Sequence, residues 1–441
     1  MCGIIGVLAK GPAAPLLMEA LRRLEYRGYD SAGIATLDAG GRLGRVRAAG
    51  KLRALEGALA ETPLGGAVGI GHTRWATHGA PNVENAHPHT AGPVAVVHNG
   101  IVENHQALRE ELIAAGCAFS SETDTEVVAQ LCAHLMAAGM PPTEAAGAAL
   151  ARLRGAFALC FLFEGAEDLI VCARRGSPLA IGFGEGEMFV GSDALALAPL
   201  TRRILYLEDG DWAAVTRSGA RIFDASGAPV SRALRDAPVE AAVVSKEGYR
   251  HFMAKEIHEQ PRVAAYAVST HLSADRTRAV SPAEEIDWSR LGRVALVGCG
   301  TAHYAALVGK YWFESFARLP VDAEVASEFR YREPPLEKGG VSIFVSQSGE
   351  TADTLAAMRY ARGEGQTTVA IVNVETSTMA REAHVTVPIC AGPEIGVAST
   401  KSFTAQLIAL AATALAAGRG RGVLDAAAEA RLAGTLAHAP N

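Results

Sequence analysis

The chain begins "MCGIIGVLAKGP", with Cys2 directly behind the initiator methionine. Loss of Met1 before a small residue would put a thiol and a free α-amine on one residue. Such an amine has a pKa of about 7.7–8.0 and a thiol about 8.5. The amine can therefore take the thiol proton near neutral pH, which makes Cys2 a candidate N-terminal nucleophile. Gly3 would permit close backbone approach there. Chance, a lipid anchor and a disulfide are the competing explanations. The run "IIGVLA" is too short for a signal segment, and no basic stretch precedes it, which argues against an anchor. The seven cysteines are odd in number, widely spaced and without a C-x-x-C pair. That pattern points to reduced thiols and a cytoplasmic protein.

Three polar segments follow Cys2. In "GHTRWATHGAPNVENAHPH" (residues 71–89) Arg74 can grip a carboxylate bidentately, and Thr77 and His78 add donors beside it. The same stretch also suits a surface loop with a salt-bridged arginine. His72, His78, His87, His89 and His98 are close in sequence but lack a tight ligand pair such as H-E-x-x-H, so no metal is expected. In "VAVVHNGIVEN" (residues 94–104) the Asn99 amide and the Gly100 N–H are two donors suited to an oxyanion hole. A hairpin turn is the alternative, because Asn-Gly is a strong turn signal. "SSETDTEVVAQL" (residues 120–131) has the pattern of a helix start, in which Asp124 or Glu126 caps the helix or faces an ammonium group.

The second half carries a different signal. "VSIFVSQSGETADTLAAM" combines a strand, a hydroxyl-rich turn and a helix start. Ser346, Gln347, Ser348 and Thr351 there can present donors to a phosphate at a helix N-terminus, or can simply cap the helix. "VGCGTAHYA" is a similar junction but not a dinucleotide fingerprint, since His303 stands at the third glycine position. No cofactor is expected.

Elements must position these groups. From Cys2 to about Asp236, short β-like runs alternate with turns, and helical patterns occur at 14–26, 103–115, 124–138 and 143–153. This implies an α+β fold with largely antiparallel sheets. Residues 237–285 are charged, helix-prone and interrupted by Pro261, the pattern of a helical connector. From about 286 to 435, continuous apolar strands alternate with long helices, which implies an α/β layer with a parallel sheet. At 441 residues two or three domains are expected. A net charge of −6 supplies no basic surplus for nucleic acid or an anionic membrane. The run "AQLIALAATALAAG" is below spanning length and suits a buried helix.

Taken in order, "MCGIIGV", "YRGYDSAGIA", "GHTRWATHG", "HNGIVENH" and "SETDTEV" resemble the N-terminal-nucleophile (Ntn) hydrolase glutaminase domain of class II glutamine amidotransferases. "GEGEMFVGSDALAL", "HFMAKEIHEQP", "SQSGET" and "EIGVASTKSFTAQ" are similar to the glutamine–fructose-6-phosphate aminotransferase (isomerizing) family, and the α/β half resembles a sugar isomerase (SIS) domain. The resemblance implies an Ntn sandwich followed by an α/β SIS domain, and L-glutamine and fructose 6-phosphate as substrates. It makes Cys2 the nucleophile and Asn99 and Gly100 the oxyanion hole. It assigns Arg74, Thr77 and His78 to the glutamine α-carboxylate, Asp124 to its ammonium, and Trp75 to gating ammonia. Thr301, Ser346, Gln347, Ser348, Thr351 and Ser399 become sugar-phosphate contacts. The residue after Thr301 is commonly serine in the family and is Ala302 here. A homodimer is expected.

The family also has a second SIS domain and a tail, which supply the isomerase base, the ring-opening histidine and the Schiff-base lysine. Neither pattern occurs in these 441 residues, and Lys401 in "STKSF" does not match that lysine. The expectation is a complete glutaminase with half of a sugar site. A stand-alone glutaminase with a regulatory sugar-phosphate domain is the alternative. The phosphoribosyl-pyrophosphate enzyme of the same class is disfavoured, because its acidic run before a pyrophosphate loop is missing.

Overall fold

Apolar runs of four to nine residues bounded by turns pair as strands in the N-terminal half of the computed structural model. The structure describes residues 2–25, 29–75, 79–192, 194–236 and 247–440. The chain divides into two units, Met1–Val244 and Ser245–Asn441.

The first unit contains two antiparallel sheets. In spatial order, one holds β15 (Leu234–Asp236), β11 (Arg203–Tyr206), β9 (Ala180–Phe183), β10 (Met188–Gly191), β1 (Gly3–Leu8), β4 (Val68–Arg74), β2 (Ser31–Leu37) and β3 (Leu43–Ala49). The other holds β14 (Pro229–Val230), β13 (Gly219–Phe223), β12 (Trp212–Thr216), β8 (Ile170–Arg175), β7 (Gly155–Phe163), β6 (Val94–Val102) and β5 (His89–Ala91). Ile4, Leu8 and Ile70 of the first sheet pack against Val97, Cys160 and Leu162 of the second. Helices α1 (Ala13–Leu24), α2 (Leu52–Glu61) and the short α6 (Ala194–Leu197) lie on the outer side of the first sheet. Helices α3 (His105–Ala114), α4 (Asp124–Ala137) and α5 (Pro142–Arg152) cover the second. This is the Ntn-type α+β sandwich. β1 and most of β7 are buried on both faces, so their sequences are continuously apolar although their pairing is antiparallel. Helix α2 falls outside the helical patterns of the sequence because Gly57 interrupts it; Leu52 and Leu55 nevertheless anchor one face.

The second unit is a three-layer α/β domain. Its parallel sheet runs β17 (Val321–Val325), β16 (Val294–Gly298), β18 (Val341–Ser346), β19 (Thr367–Val372) and β20 (Val385–Pro388). Helices α7 (Phe252–His271), α8 (Thr301–Phe316), α12 (Lys401–Gly420) and α13 (Ala426–Leu436) cover one face. Helices α9 (Ala326–Arg332), α10 (Ala352–Gly363) and α11 (Thr378–Glu382) cover the other.

The segment expected as a connector behaves differently where it is described; residues 237–246 lie outside the described residues. Val263, Ala264, Ala267 and Val268 of α7 enter the second unit's core beside Trp288 and Phe313. Pro261 does not break α7. The Ile257 carbonyl, which proline cannot serve, accepts instead from the Gln260 side-chain amide at 3.2 Å. The apolar run in α12 is buried core. Among the described residues no helix is long and apolar enough to cross a membrane.

Candidate functional site

Cys2 immediately precedes β1, the strand on which its position depends. Gly3 of β1 pairs with Thr73 of β4, which sets the end of β4 beside Cys2. A Cβ on Gly3 would lie 2.7 Å from the Thr73 hydroxyl and 2.8 Å from Leu24, so this close approach requires glycine. The Trp75 backbone N–H donates to Cys2 Sγ at 3.2 Å. Burial pushes the thiol pKa up, while the Trp75 N–H, the chain's amino terminus and Arg74 pull it back and Asp30 raises it further. The net shift is upward, so the thiol is protonated at neutral pH and needs a base to react.

Arg74 closes β4 and is 3% exposed. Its guanidinium donates to the Gly79 and Ala80 carbonyls at 3.2 and 3.3 Å. Burial lowers its pKa, and Asp30, Cys2, Asp124 and Glu122 act against that. Glu122 in turn accepts from Ala80 N–H at 3.3 Å and from Asn85 Nδ2 at 2.9 Å, fixing the loop that Arg74 grips. Thr77 and His78 lie outside the described residues.

Asn99 and Gly100 are not a hairpin turn. β6 runs straight through them, with Asn99 opposite Ala158 and Gly100 opposite Phe157 on β7. Gly100 has φ +125°, and a Cβ there would strike the Ala156 carbonyl oxygen. Asn99 Nδ2 donates to the Cys2 carbonyl at 3.1 Å, and His72 Nε2 lies 2.9 Å from Asn99 Oδ1. At the far end of β6, Val102 N–H donates to Asp124 Oδ2 at 2.8 Å. The helix cap is Thr123, whose hydroxyl accepts from Glu126 N–H at 3.3 Å. The Glu126 carboxylate turns back to Ser120 and Ser121. Asp124 therefore does not cap α4; it is buried and ties the helix start to β6. Cys2, Arg74, Trp75 and Asn99 thus meet where β1 begins, β4 ends and β6 passes; Gly100 follows Asn99 on β6, and Asp124 is linked to the group through β6 and through its charge on Arg74.

The second unit holds the hydroxyl-rich turn at the end of β18. Ser346 Oγ accepts from Gly349 N–H at 3.1 Å and lies 3.2 Å from Thr351 Oγ1. The Ser348 hydroxyl accepts from Glu350 N–H at 3.2 Å. Gln347 is anchored through its carbonyl, which accepts from Asn373 N–H at 3.1 Å. Thr351 precedes α10 without capping it by its side chain. Thr301 opens α8 after Gly300, which has φ +57°. β16 and β18 are adjacent, and their following helices leave on opposite faces of the sheet. This is a topological switch point, the place where ligands bind in open α/β sheets, and Thr301 and the 346–351 turn follow its two neighbouring strand ends. Ser399 donates to Glu394 Oε2 at 3.0 Å, and Glu394 also accepts from Thr400 and Ser402 N–H at 3.0 Å each.

The matching family models are the glutamine amidotransferase domain over residues 73–199 and the SIS domain over residues 289–416. A Bradyrhizobium diazoefficiens protein named glutamine–fructose-6-phosphate aminotransferase [isomerizing] is 56% identical over 441 residues, covering 100% of this chain and 72% of that protein. The chain belongs to the glutamine–fructose-6-phosphate aminotransferase family. A Caulobacter vibrioides protein of the same name is 54% identical over 440 residues, again covering 100% of this chain and 72% of the relative. Among solved structures, the C-terminal domain of glucosamine-fructose-6-phosphate aminotransferase from Francisella tularensis aligns at 36% identity and TM-score 0.42, covering 44% of this chain and 55% of that one. Glutamine phosphoribosylpyrophosphate amidotransferase from B. subtilis aligns at 18% identity and TM-score 0.44, covering 84% and 81%.

In this aminotransferase chain several supporting residues are not evident from motif spacing. His72, His87, His89 and His98 form a buried group. The His72 and His87 rings stack at 4.3 Å, and His87 meets His89 edge-on at 4.8 Å. Burial pushes the pKa of His72 down to about 3 and those of His87 and His89 well below the usual value, so these rings are neutral. No group of three or more His, Cys, Asp or Glu that could hold a metal occurs among the described residues. In the second unit Glu256 of α7 accepts from Ile395 N–H at 2.5 Å and from Gly396 N–H at 3.0 Å, clamping the loop that carries Ser399. Lys401 is buried in an ion pair with Glu259 at 2.7 Å. The paired motifs "HFMAKEIHEQP" and "EIGVASTKSFTAQ" were thus a signal of contact.

Proposed function

We propose that the protein hydrolyses the side-chain amide of L-glutamine at Cys2 and delivers the ammonia to fructose 6-phosphate. The products are L-glutamate and glucosamine 6-phosphate. With Met1 removed, the α-amine of Cys2 takes the thiol proton, and the thiolate attacks the amide carbon. The oxygen's developing charge is met by Asn99 Nδ2 and the Gly100 N–H. On collapse the α-ammonium of Cys2 returns its proton to the amide nitrogen, which leaves as ammonia, and the resulting thioester is hydrolysed by water to glutamate. Arg74, with Thr77 and His78, holds the substrate α-carboxylate, Asp124 holds its ammonium, and Trp75 gates the ammonia. Trp75 is 52% exposed. Thr301, Ser346, Gln347, Ser348, Thr351 and Ser399 hold the sugar phosphate.

The observation that carries this reading is the convergence on Cys2: a backbone N–H on its sulfur and a side-chain amide on its carbonyl. The raised thiol pKa explains why an adjacent base is needed. All seven cysteines are free thiols, which supports the cytoplasmic reading. The active form is read as a homodimer, checked by sedimentation equilibrium.

The test is to follow both products from the purified chain with glutamine and fructose 6-phosphate. Cys2→Ala is expected to abolish glutamate release without unfolding the protein. Retention of Met1 should do nearly the same, because an amide nitrogen is no base. Activity of either form at the parental rate overturns the mechanism.

A further inference from the structure

The buried histidines beside the nucleophile take no part in the chemistry above, yet one of them touches it. The Asn99 amide is held at both ends: Nδ2 donates to the Cys2 carbonyl at 3.1 Å, and Oδ1 lies 2.9 Å from His72 Nε2. A side-chain amide can rotate by half a turn with little change of shape. After that rotation its oxygen would face the Cys2 carbonyl, acceptor against acceptor, and no donor would point at a reacting oxygen. We propose that His72 is a positioning residue, whose Nε2–H fixes the Asn99 amide with its N–H group facing the nucleophile. The proposal rests on the glutaminase reading above and adds to it the group that sets the hole's polarity.

The geometry leaves His72 little freedom. It stands on β4 opposite Ile4 of β1, and it is 0% exposed. Its ring stacks on His87 at 4.3 Å with 29° between planes. His87 Nε2 lies 2.8 Å from the Thr125 hydroxyl, and His98 Nδ1 lies 2.9 Å from the same oxygen. Thr125 follows Asp124 in the first turn of α4, so the element that carries the ammonium contact also braces the ring. A neutral imidazole carries one N–H, and the partner of one nitrogen decides which. Oδ1 is only an acceptor, so the proton sits on Nε2. An imidazolium would donate equally well but is disfavoured by complete burial.

The experiment compares two substitutions of like length on the full chain. His72→Gln keeps an amide N–H near the Nε2 position, and His72→Met removes it. His72→Met is expected to lower glutaminase kcat by about 10- to 100-fold, part of the full effect of one oxyanion donor, with the KM for glutamine nearly unchanged. His72→Gln should recover most of the loss. In an Asn99→Ala background, His72→Met should cost nothing further, because it acts only through Asn99. Parental kcat in His72→Met, failure of the Gln rescue, or losses that multiply in the double mutant would each overturn the proposal. Parental turnover in Asn99→Ala alone would overturn the oxyanion reading and this proposal with it. A measurement on the unsubstituted protein does not depend on variants folding. Nitrogen-15 shifts should show His72 neutral with its proton on Nε2, and a proton on Nδ1 would refute the assignment.

Discussion

The proposed amide site and the proposed sugar-phosphate turn differ in how their side chains are held. In the first unit Arg74, Asn99 and Asp124 are 3%, 8% and 4% exposed; Asn99 and Asp124 are bonded to backbone distant in sequence, and Arg74 to the loop that follows it. In the second, Gln347, Ser348 and Thr351 are half-buried, and the Ser346, Ser348 and Thr351 hydroxyls bond mainly within their own turn. Charge on the amide oxygen exists only in the transition state, so its donors must be fixed beforehand. A phosphate arrives already charged and can draw hydroxyls and helix N–H groups around itself. On the proposed roles, the residues that meet developing charge are held by bonds to distant backbone, while the hydroxyls that meet a phosphate, with Ser346 buried and Ser348 and Thr351 half-buried, bond mainly to one another and to their own turn.

The sharpest way to break that contrast is Asn99→Ala. Losing one preorganised donor should reduce glutaminase turnover by about 10²- to 10³-fold with little change in KM. A large rise in KM at unchanged kcat would instead make Asn99 a substrate-binding group, no more rigidly used than the turn. A smaller effect is expected at the turn. Ser346→Ala with Thr351→Ala should weaken fructose 6-phosphate binding by about 10-fold, as two neutral hydrogen bonds of about 1 kcal/mol or less each are removed. Glutamate release should not fall. Isothermal titration with the sugar phosphate reads the first quantity. Unchanged affinity would mean that these hydroxyls only shape the turn.

A further contrast concerns acid. His72, His87 and His89 in the first unit have pKa values depressed by burial, against His271 in the second. A depressed value means that the unfolded chain takes up protons the fold refuses. Stability is therefore full above the unfolded value of about 6.5 and is lost as pH falls below it, at up to about 1.4 kcal/mol per pH unit for each group. For His72 the loss continues to about pH 3. Hydrogen exchange on the whole chain should show peptides of the first unit losing protection at higher pH than those of the second. The reverse order would mean that the histidine group does not dominate acid stability.

Much of this was legible without coordinates. The helix starts near 13, 105, 124 and 142 match the amphipathic patterns because local periodicity decides them, with a side-chain cap only at α4. The strand–turn–helix repeats after residue 290 declare a parallel sheet. Other features were not legible. Asn99-Gly100 carries a turn signal, but cross-strand pairing with Ala158 and Phe157 outweighs it. Pro261 signals a break, but apolar side chains after it gain more from joining the core of the second unit. The meeting of the histidines was not legible either: His72 stacks on His87 and reaches Asn99 only through the fold.

By itself the sequence determined the chemical inventory: a thiol poised to become N-terminal, an arginine and an amide-glycine pair behind it, and hydroxyls at a strand–helix junction. It also determined the order of elements, because those signals are local. Only the tertiary structure decided which groups act on which. His72 reaches Asn99 across 27 positions, and Asn99 reaches Cys2 across 97. Those meetings are set by the registers of β1 with β4 and of β6 with β7. Register follows from how two sheets and their helices share one buried interior, a property of the whole unit that no short stretch of residues contains.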